Sequence, residues 1–297
     1  TLVAALFASA QTDVKRAMAY IASAQMGFIL VSLGLGLGQP TGNVASMQIA
    51  MFAVVQVMLV LCVGGVTRAM DDGRDLRTFG GLRQKLPGVA VTMTFAALVA
   101  TGFGVSQSAY GVIAPDTGQR LYVMAFAVHS SVFWTMCLAG GLCGFAIWRL
   151  VFLCVFGPSR AREDVLDAVE KTPIIMVGAL VALGGVALAF VVWQLGAFAA
   201  LPALPTDAWI AFAPLLAAVL GFGLAAWFYL LQPGVPKSLA ASMSGLHSAL
   251  KNGFYFDVIY NQAVTTPLKT LGDGLSDIGD GRVFSAPFAA LSARLVV

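Results

Sequence analysis

Residues 46–59 read SMQIAMFAVVQVML. The stretch is apolar enough for the middle of a lipid bilayer, yet two glutamines, Gln48 and Gln56, stand in it with Phe52 midway between them. At i, i+4 and i+8 the three share one face of a helix. A buried amide needs a hydrogen-bonding partner, so this face is expected to turn toward the interior of a helix bundle rather than toward lipid.

Working outward, the whole chain asks for the same solvent. Of its 297 residues 59% are hydrophobic and 10% charged, and the mean hydropathy is +0.87. One water-soluble core cannot hide that much apolar surface, so the fold class is an all-α polytopic membrane protein. A net charge of +3 is too small to suggest nucleic acid, and the basic residues sit between apolar runs instead of forming a tract. Cys62, Cys137, Cys143 and Cys154 all lie inside apolar runs, without CxxC or Cys/His spacing. They read as small buried hydrophobes, not as a metal site or disulfides.

Spanning hydrocarbon takes about 20 apolar residues. After an apolar stub at residues 1–10, six runs qualify: 14–37, 44–67, 87–114, 121–156, 174–201 and 209–231. The stub reads as the end of a helix begun elsewhere, so the chain is expected to be a fragment, a split-gene half or a processed product. The third run is interrupted by Thr101-Gly102-Phe103-Gly104 and then Ser106-Gln107-Ser108. Such a break is tolerated at membrane depth only where protein or water satisfies the freed backbone, which predicts a discontinuous helix facing the bundle interior.

Basic residues set the orientation. Lys15 and Arg16 precede the first run; Arg68, Arg74, Arg77, Arg83 and Lys85 follow the second; Arg149, Arg160, Arg162 and Lys171 follow the fourth; Lys237 and Lys251 follow the last. These are alternate ends of six spans, so all lie on one face, the cytoplasmic or matrix side, here the N side. The opposite side carries only Arg120. Residues 1–232 are thus expected to form the transmembrane bundle, and 233–297 an N-side linker and lateral segment. Within 251–297, Pro267, Pro287, Asp273, Asp277 and Asp280 interrupt any span, while Phe254, Ile259, Leu268 and Leu271 form a stripe suited to an amphipathic surface helix.

Four stretches together are specific enough to name a family. They are Gln11-Thr12-Asp13-Val14-Lys15-Arg16-Ala17-Met18-Ala19-Tyr20; Ser23-Ala24-Gln25-Met26-Gly27; Asp75-Leu76-Arg77-Thr78-Phe79-Gly80-Gly81-Leu82-Arg83-Gln84-Lys85-Leu86-Pro87; and Tyr255-Phe256-Asp257-Val258-Ile259-Tyr260 followed by Pro267-Leu268. In order and spacing the chain resembles the antiporter-like distal membrane subunit of respiratory complex I, called subunit L in bacteria and subunit 5 in mitochondria. The resemblance implies the second half of an inverted-repeat helix bundle, a proton half-channel in the family, with a lateral helix after it.

In that family the helix after the second motif carries a His-x-x-x-His-x-x-x-Lys pattern, and the broken helix carries Ser-Lys-Asp after Thr-Gly-Phe. At those positions this chain has Gln48, Phe52 and Gln56, and Ser106, Gln107 and Ser108. Each expected titratable group is replaced by an amide, a ring or a hydroxyl. A lysine serves a proton path because burial brings its pKa within reach of exchange; glutamine binds water but takes up no proton near neutral pH. The former proton-path positions Gln48, Phe52, Gln56, Gln107 and Ser108 are therefore expected to be polar scaffold without switches.

His129 is the remaining candidate for a relay, since an intramembrane histidine is by default a functional hypothesis; a packed, hydrogen-bonded neutral histidine is the blander reading. His247 falls in the N-side segment and is expected to be solvated. Gly34 to Gly38, GLGLG, sits at a helix end with no preceding strand and is no nucleotide loop. The mixed charges from Arg160 to Lys171 suit a solvated loop or a docking surface. No residue is assigned a catalytic, cofactor-binding or metal role.

By resemblance the chain is a structural, proton-inactive membrane-arm subunit of NADH:quinone oxidoreductase. Its expected partners are other membrane-arm subunits, the missing N-terminal half among them, and lipids. Two other functions compete: a membrane subunit of a related cation/proton antiporter, hydrogenase or bicarbonate-uptake complex, and an active pump using His129 with water. An energy-transducing inner membrane is expected, with the mitochondrial one favoured over the bacterial.

Overall fold

The computed structural model describes residues 1–36, 42–71, 73–101, 117–158, 160, 173–199 and 208–276, and the architecture below is that of these residues. It is helical throughout, the only pairing of extended backbone among the described residues being a bridge between Asp13 and Asp75. Eight helices form the bundle: α1 (Leu2–Ala10), α2 (Val14–Gly36), α3 (Gly42–Ala69), α4 (Pro87–Thr101), α5 (Thr117–Val128), α6 (Ser130–Val151), α7 (Ile174–Ala199) and α8 (Ala208–Ala226). Both α6 and α8 run on through a π-helical turn, Phe152–Phe156 and Trp227–Leu231. Five helices (α2, α3, α6, α7 and α8) are long and apolar enough to cross a membrane, and α4 is apolar but shorter.

Around α6 the bundle closes. It packs against α1, α2, α4 and α8, while α3 packs against α2, α4 and α7. The approach of α6 to α8 rests on small residues: a Cβ added at Gly221 would collide with the Gly141 carbonyl oxygen and stand 3.1 Å from the Phe145 nitrogen. Without a hydrophobic drive between helices in lipid, such close backbone contact is what holds two spans together. The four cysteines are buried and unbridged.

One expected span is divided. The run 121–156 is not a single helix, because at His129 the backbone turns extended (φ −157°, ψ 126°). The His129 amide closes α5 on the Ala125 carbonyl at 2.9 Å, and the His129 carbonyl opens α6 by accepting from Val132 at 3.1 Å. The chain then doubles back, since the Tyr122 and Phe133 rings lie 6.2 Å apart, where an unbroken helix would separate them by about 16 Å. Edge-to-face contacts of Phe126 with Phe133 and Trp209, at 5.5 and 5.1 Å, fold α5 onto α6 and α8. They are worth roughly 1 kcal/mol each beyond area burial. The break expected at 102–108 lies outside the described residues.

Where α3 ends and α2 begins, two of the motifs that carry the resemblance meet. Val14 donates to the Arg74 carbonyl and Leu76 to the Thr12 carbonyl, both at 2.9 Å, so the turn before α2 pairs with the loop after α3. Leu76, Phe79, Leu82 and Leu86 are buried and anchor that loop. Gly81, at φ 70°, donates to the Gly157 carbonyl at 2.8 Å beyond the end of α6. Only glycine adopts that backbone without strain.

After the bundle come α9 (Val235–Ser242) and α10 (Ser244–Lys251), the latter carrying a half-buried His247. The chain forms two compact units, Thr1–His247 and Ser248–Val297. In the second, Gly253, Phe254 and Tyr255 all take positive φ and break the helix. Then α11 (Phe256–Tyr260), a π-helical turn (Asn261–Thr265) and α12 (Thr266–Ser276) follow one another directly. Phe254, Ile259, Leu268 and Leu271 of the anticipated stripe are all exposed.

Candidate functional site

The helix face that carries Gln48 and Phe52 is the buried face of α3. Val55, Leu59, Cys62 and Val66 are buried, and Gln48 and Phe52 extend the same line toward the start of the helix. Gln56 lies at its edge; all three are half-buried, while Ile49, Ala53, Val57 and Val60 point outward. Within this face the Gln48 side-chain oxygen Oε1 is fully buried and meets no hydrogen-bond donor among the described residues. A buried acceptor in that state is costly unless water or a donor reaches it. Gln107 and Ser108 lie outside the described residues.

His129 is placed differently from a packed intramembrane histidine. It occupies the position before the first turn of α6 and is exposed. Its run of apolar neighbours suggested the middle of a span, but the fold-back of α5 puts it at a helix junction.

A second group emerges that sequence reading placed wrongly. Arg149, expected from its sequence position among the N-side loop cations, is buried, with 7% of its surface exposed. The reason is the π-helical continuation to Phe156, which sets Arg149 two turns inside the apolar stretch. Its Nε donates to the Tyr229 hydroxyl at 3.0 Å, its Nη1 to the Ala8 carbonyl at 3.4 Å, and its guanidinium lies 5.7 Å from the centre of the Tyr229 ring. Ala8 is in the last turn of α1, where carbonyls lack helical partners and the helix dipole is negative. Helix end, phenol oxygen and ring face together replace a carboxylate. The one clue in the sequence was an arginine with seven apolar residues still following it.

On the residue before Arg149, Trp148 Nε1 donates to Thr101 Oγ1 at 3.1 Å, and Thr101 Oγ1 donates to the Ala97 carbonyl at 2.7 Å. This ties the end of α4 to α6. Chemically, the set of Gln48, Gln56, Thr101, Trp148 and Arg149 can orient water and hold charge. The side chains of Gln48, Gln56, Thr101 and Trp148 carry no acid or base for a proton relay.

Residues 1–145 match the family described as NADH:quinone oxidoreductase/Mrp antiporter, transmembrane. NADH-quinone oxidoreductase subunit L of Rhodobacter capsulatus is 26% identical over 366 aligned residues, covering 95% of this chain and 50% of the relative. F(420)H(2) dehydrogenase subunit L of Methanosarcina mazei is 32% identical over 187 residues, covering 60% of this chain and 27% of the relative. NADH-ubiquinone oxidoreductase chain 5 of Sus scrofa is 27% identical over 177 residues, covering 59% and 28%. The chain thus spans about half the length, or less, of these relatives. With its helical bundle and the pairing of the turn before α2 with the loop after α3, the chain is similar over residues 1–145 to the transmembrane family shared by NADH:quinone oxidoreductases and Mrp antiporters.

Proposed function

We propose that the chain is a membrane-arm subunit of a proton-translocating NADH:quinone oxidoreductase, and that the half-channel it carries is structural and moves no protons. The observation that carries the reading is the α3 face, where Gln48 and Phe52 lie on the buried side, Gln56 at its edge, and the fully buried amide oxygen of Gln48 meets no donor among the described residues. Gln107 and Ser108 complete the proposed set from the sequence. Water held by Gln48 would keep the interior hydrated, but no amide on this face can take a proton and release it on the far side. Arg149 adds a fixed positive charge that would oppose a proton entering near the N-side ends.

Relatives named as oxidoreductase subunits in a bacterium, an archaeon and a mammal support an energy-transducing membrane as its place. Within that class the proposal favours the mitochondrial inner membrane, with other membrane-arm subunits and lipids as its neighbours. The second reading, a subunit of a cation/proton antiporter, draws on the Mrp branch of the same family. Affinity purification of the tagged chain from its native membrane separates them. Co-purifying, inhibitor-sensitive NADH:quinone oxidoreductase activity is expected; antiporter subunits without that activity would favour the second reading.

A further inference from the structure

Down one side of α2 run Lys15, Arg16, Ala19, Ser23, Met26, Leu30 and Leu33, all exposed and spaced to share one face. The stripe is cationic at its N-side end and apolar beyond it. Ser23 does not interrupt it, since its hydroxyl donates to the Ala19 carbonyl at 2.9 Å. From Ala19 to Leu30 the stripe covers about 16 Å of rise, close to the roughly 15 Å of hydrocarbon in one leaflet.

The cationic end is reinforced from a second segment. Pairing of Asp13 with Asp75 lays Arg74 beside Val14 at the start of α2, with Arg77 three residues further along the same loop, on the side of Thr12. Both carboxylates at this junction are turned to the backbone: Asp13 Oδ1 accepts from the Lys15 and Arg16 amides at 2.8 and 3.1 Å, and Asp75 Oδ1 from the Arg77 amide at 2.9 Å. Among the described residues none of Lys15, Arg16, Arg74 and Arg77 therefore has a carboxylate partner. Buried Leu76 and Phe79 hold the loop in place, so the four charges stand on an anchored platform.

We propose that this junction and the stripe below it bind an anionic phospholipid of the N-side leaflet. Its phosphate is held by Lys15, Arg16, Arg74 and Arg77, and an acyl chain lies along Ala19, Met26 and Leu30. Guanidinium forks suit phosphate oxygens, and an exposed apolar stripe continuing directly from the charges favours a lipid over an acidic protein segment, which would need the charges alone.

The test uses the intact chain, extracted with its complex and reconstituted in nanodiscs of phosphatidylcholine with or without phosphatidylglycerol. Wild type is expected to retain phosphatidylglycerol selectively, by lipid mass spectrometry. The double variant Arg74→Gln/Arg77→Gln is expected to lose about thirtyfold in that preference, raised salt to mimic it, and Arg74→Lys/Arg77→Lys to keep most of it. In otherwise wild-type chain, a photoreactive residue in place of Met26 is expected to crosslink to lipid. Unchanged phosphatidylglycerol retention in the Gln variant, or a Met26 crosslink to a polypeptide, would overturn the proposal, the second pointing to a protein partner on this face.

Discussion

Arg149 donates from Nε to the Tyr229 hydroxyl at 3.0 Å, joining α6 to the end of α8 through a cation that has no carboxylate beside it among the described residues. Removing the charge together with its polar reach, as in Arg149→Met, leaves no uncompensated ion and is expected to cost about 1–3 kcal/mol. Arg149→Glu sets a carboxylate against the carbonyl end of α1 and is expected to cost about 3–5 kcal/mol. Thermal unfolding of the detergent-solubilised chain should rank wild type above Met above Glu; equal midpoints for Met and Glu would show that the helix end does not compensate the charge.

Helix contact on α8 is unequal along its length. Gly221 faces the Gly141 backbone, whereas a Cβ at Gly223 meets nothing within 4 Å. Gly221→Val should destabilise the bundle by about 1–3 kcal/mol or more through overpacking, and Gly223→Val should be close to neutral. Protease resistance of the two variants in the same detergent reads the difference directly.

The N-side loop offers a backbone test. Gly81→Ala keeps the amide that donates to Gly157 but imposes a left-handed conformation on a residue with a Cβ, at about 1 kcal/mol or more. Gly88→Ala, with ordinary backbone and open space around it, serves as its control and should be neutral or slightly stabilising. Hydrogen exchange confined to residues 73–86 should quicken only in the first.

At Gln56 the expected asymmetry is chemical. Gln56→Leu forfeits at most a hydrogen bond of about 1 kcal/mol, while Gln56→Glu introduces a carboxyl that must stay protonated or be penalised by a few kcal/mol. The Glu variant should lose stability as pH rises through its native pKa, because the unfolded chain ionises it more readily. A flat pH profile of unfolding would mean that the position is wetter than its half-buried state suggests.

Most of the helices were legible because hydropathy and helical spacing are local properties; five of the six apolar runs each became one helix of the bundle, while 121–156 became two, α5 and α6. What escaped depends on partners distant in the chain. The fold-back at His129 leaves no Gly or Pro in its sequence, and it is held by Phe126 and Phe133 against Trp209. Arg149 looked like a loop cation because its hydrogen-bond acceptors, Tyr229 and Ala8, are 80 and 141 residues away.

The central claim is that the amide-lined half-channel moves no protons. Protons translocated per NADH oxidised, measured in the intact complex carrying Gln48→Leu together with Gln56→Leu, test it most directly. The ratio is expected to equal that of wild type, with any loss confined to stability. A lower ratio in a fully assembled complex would show that water held by these amides still conducts, and would contradict the account.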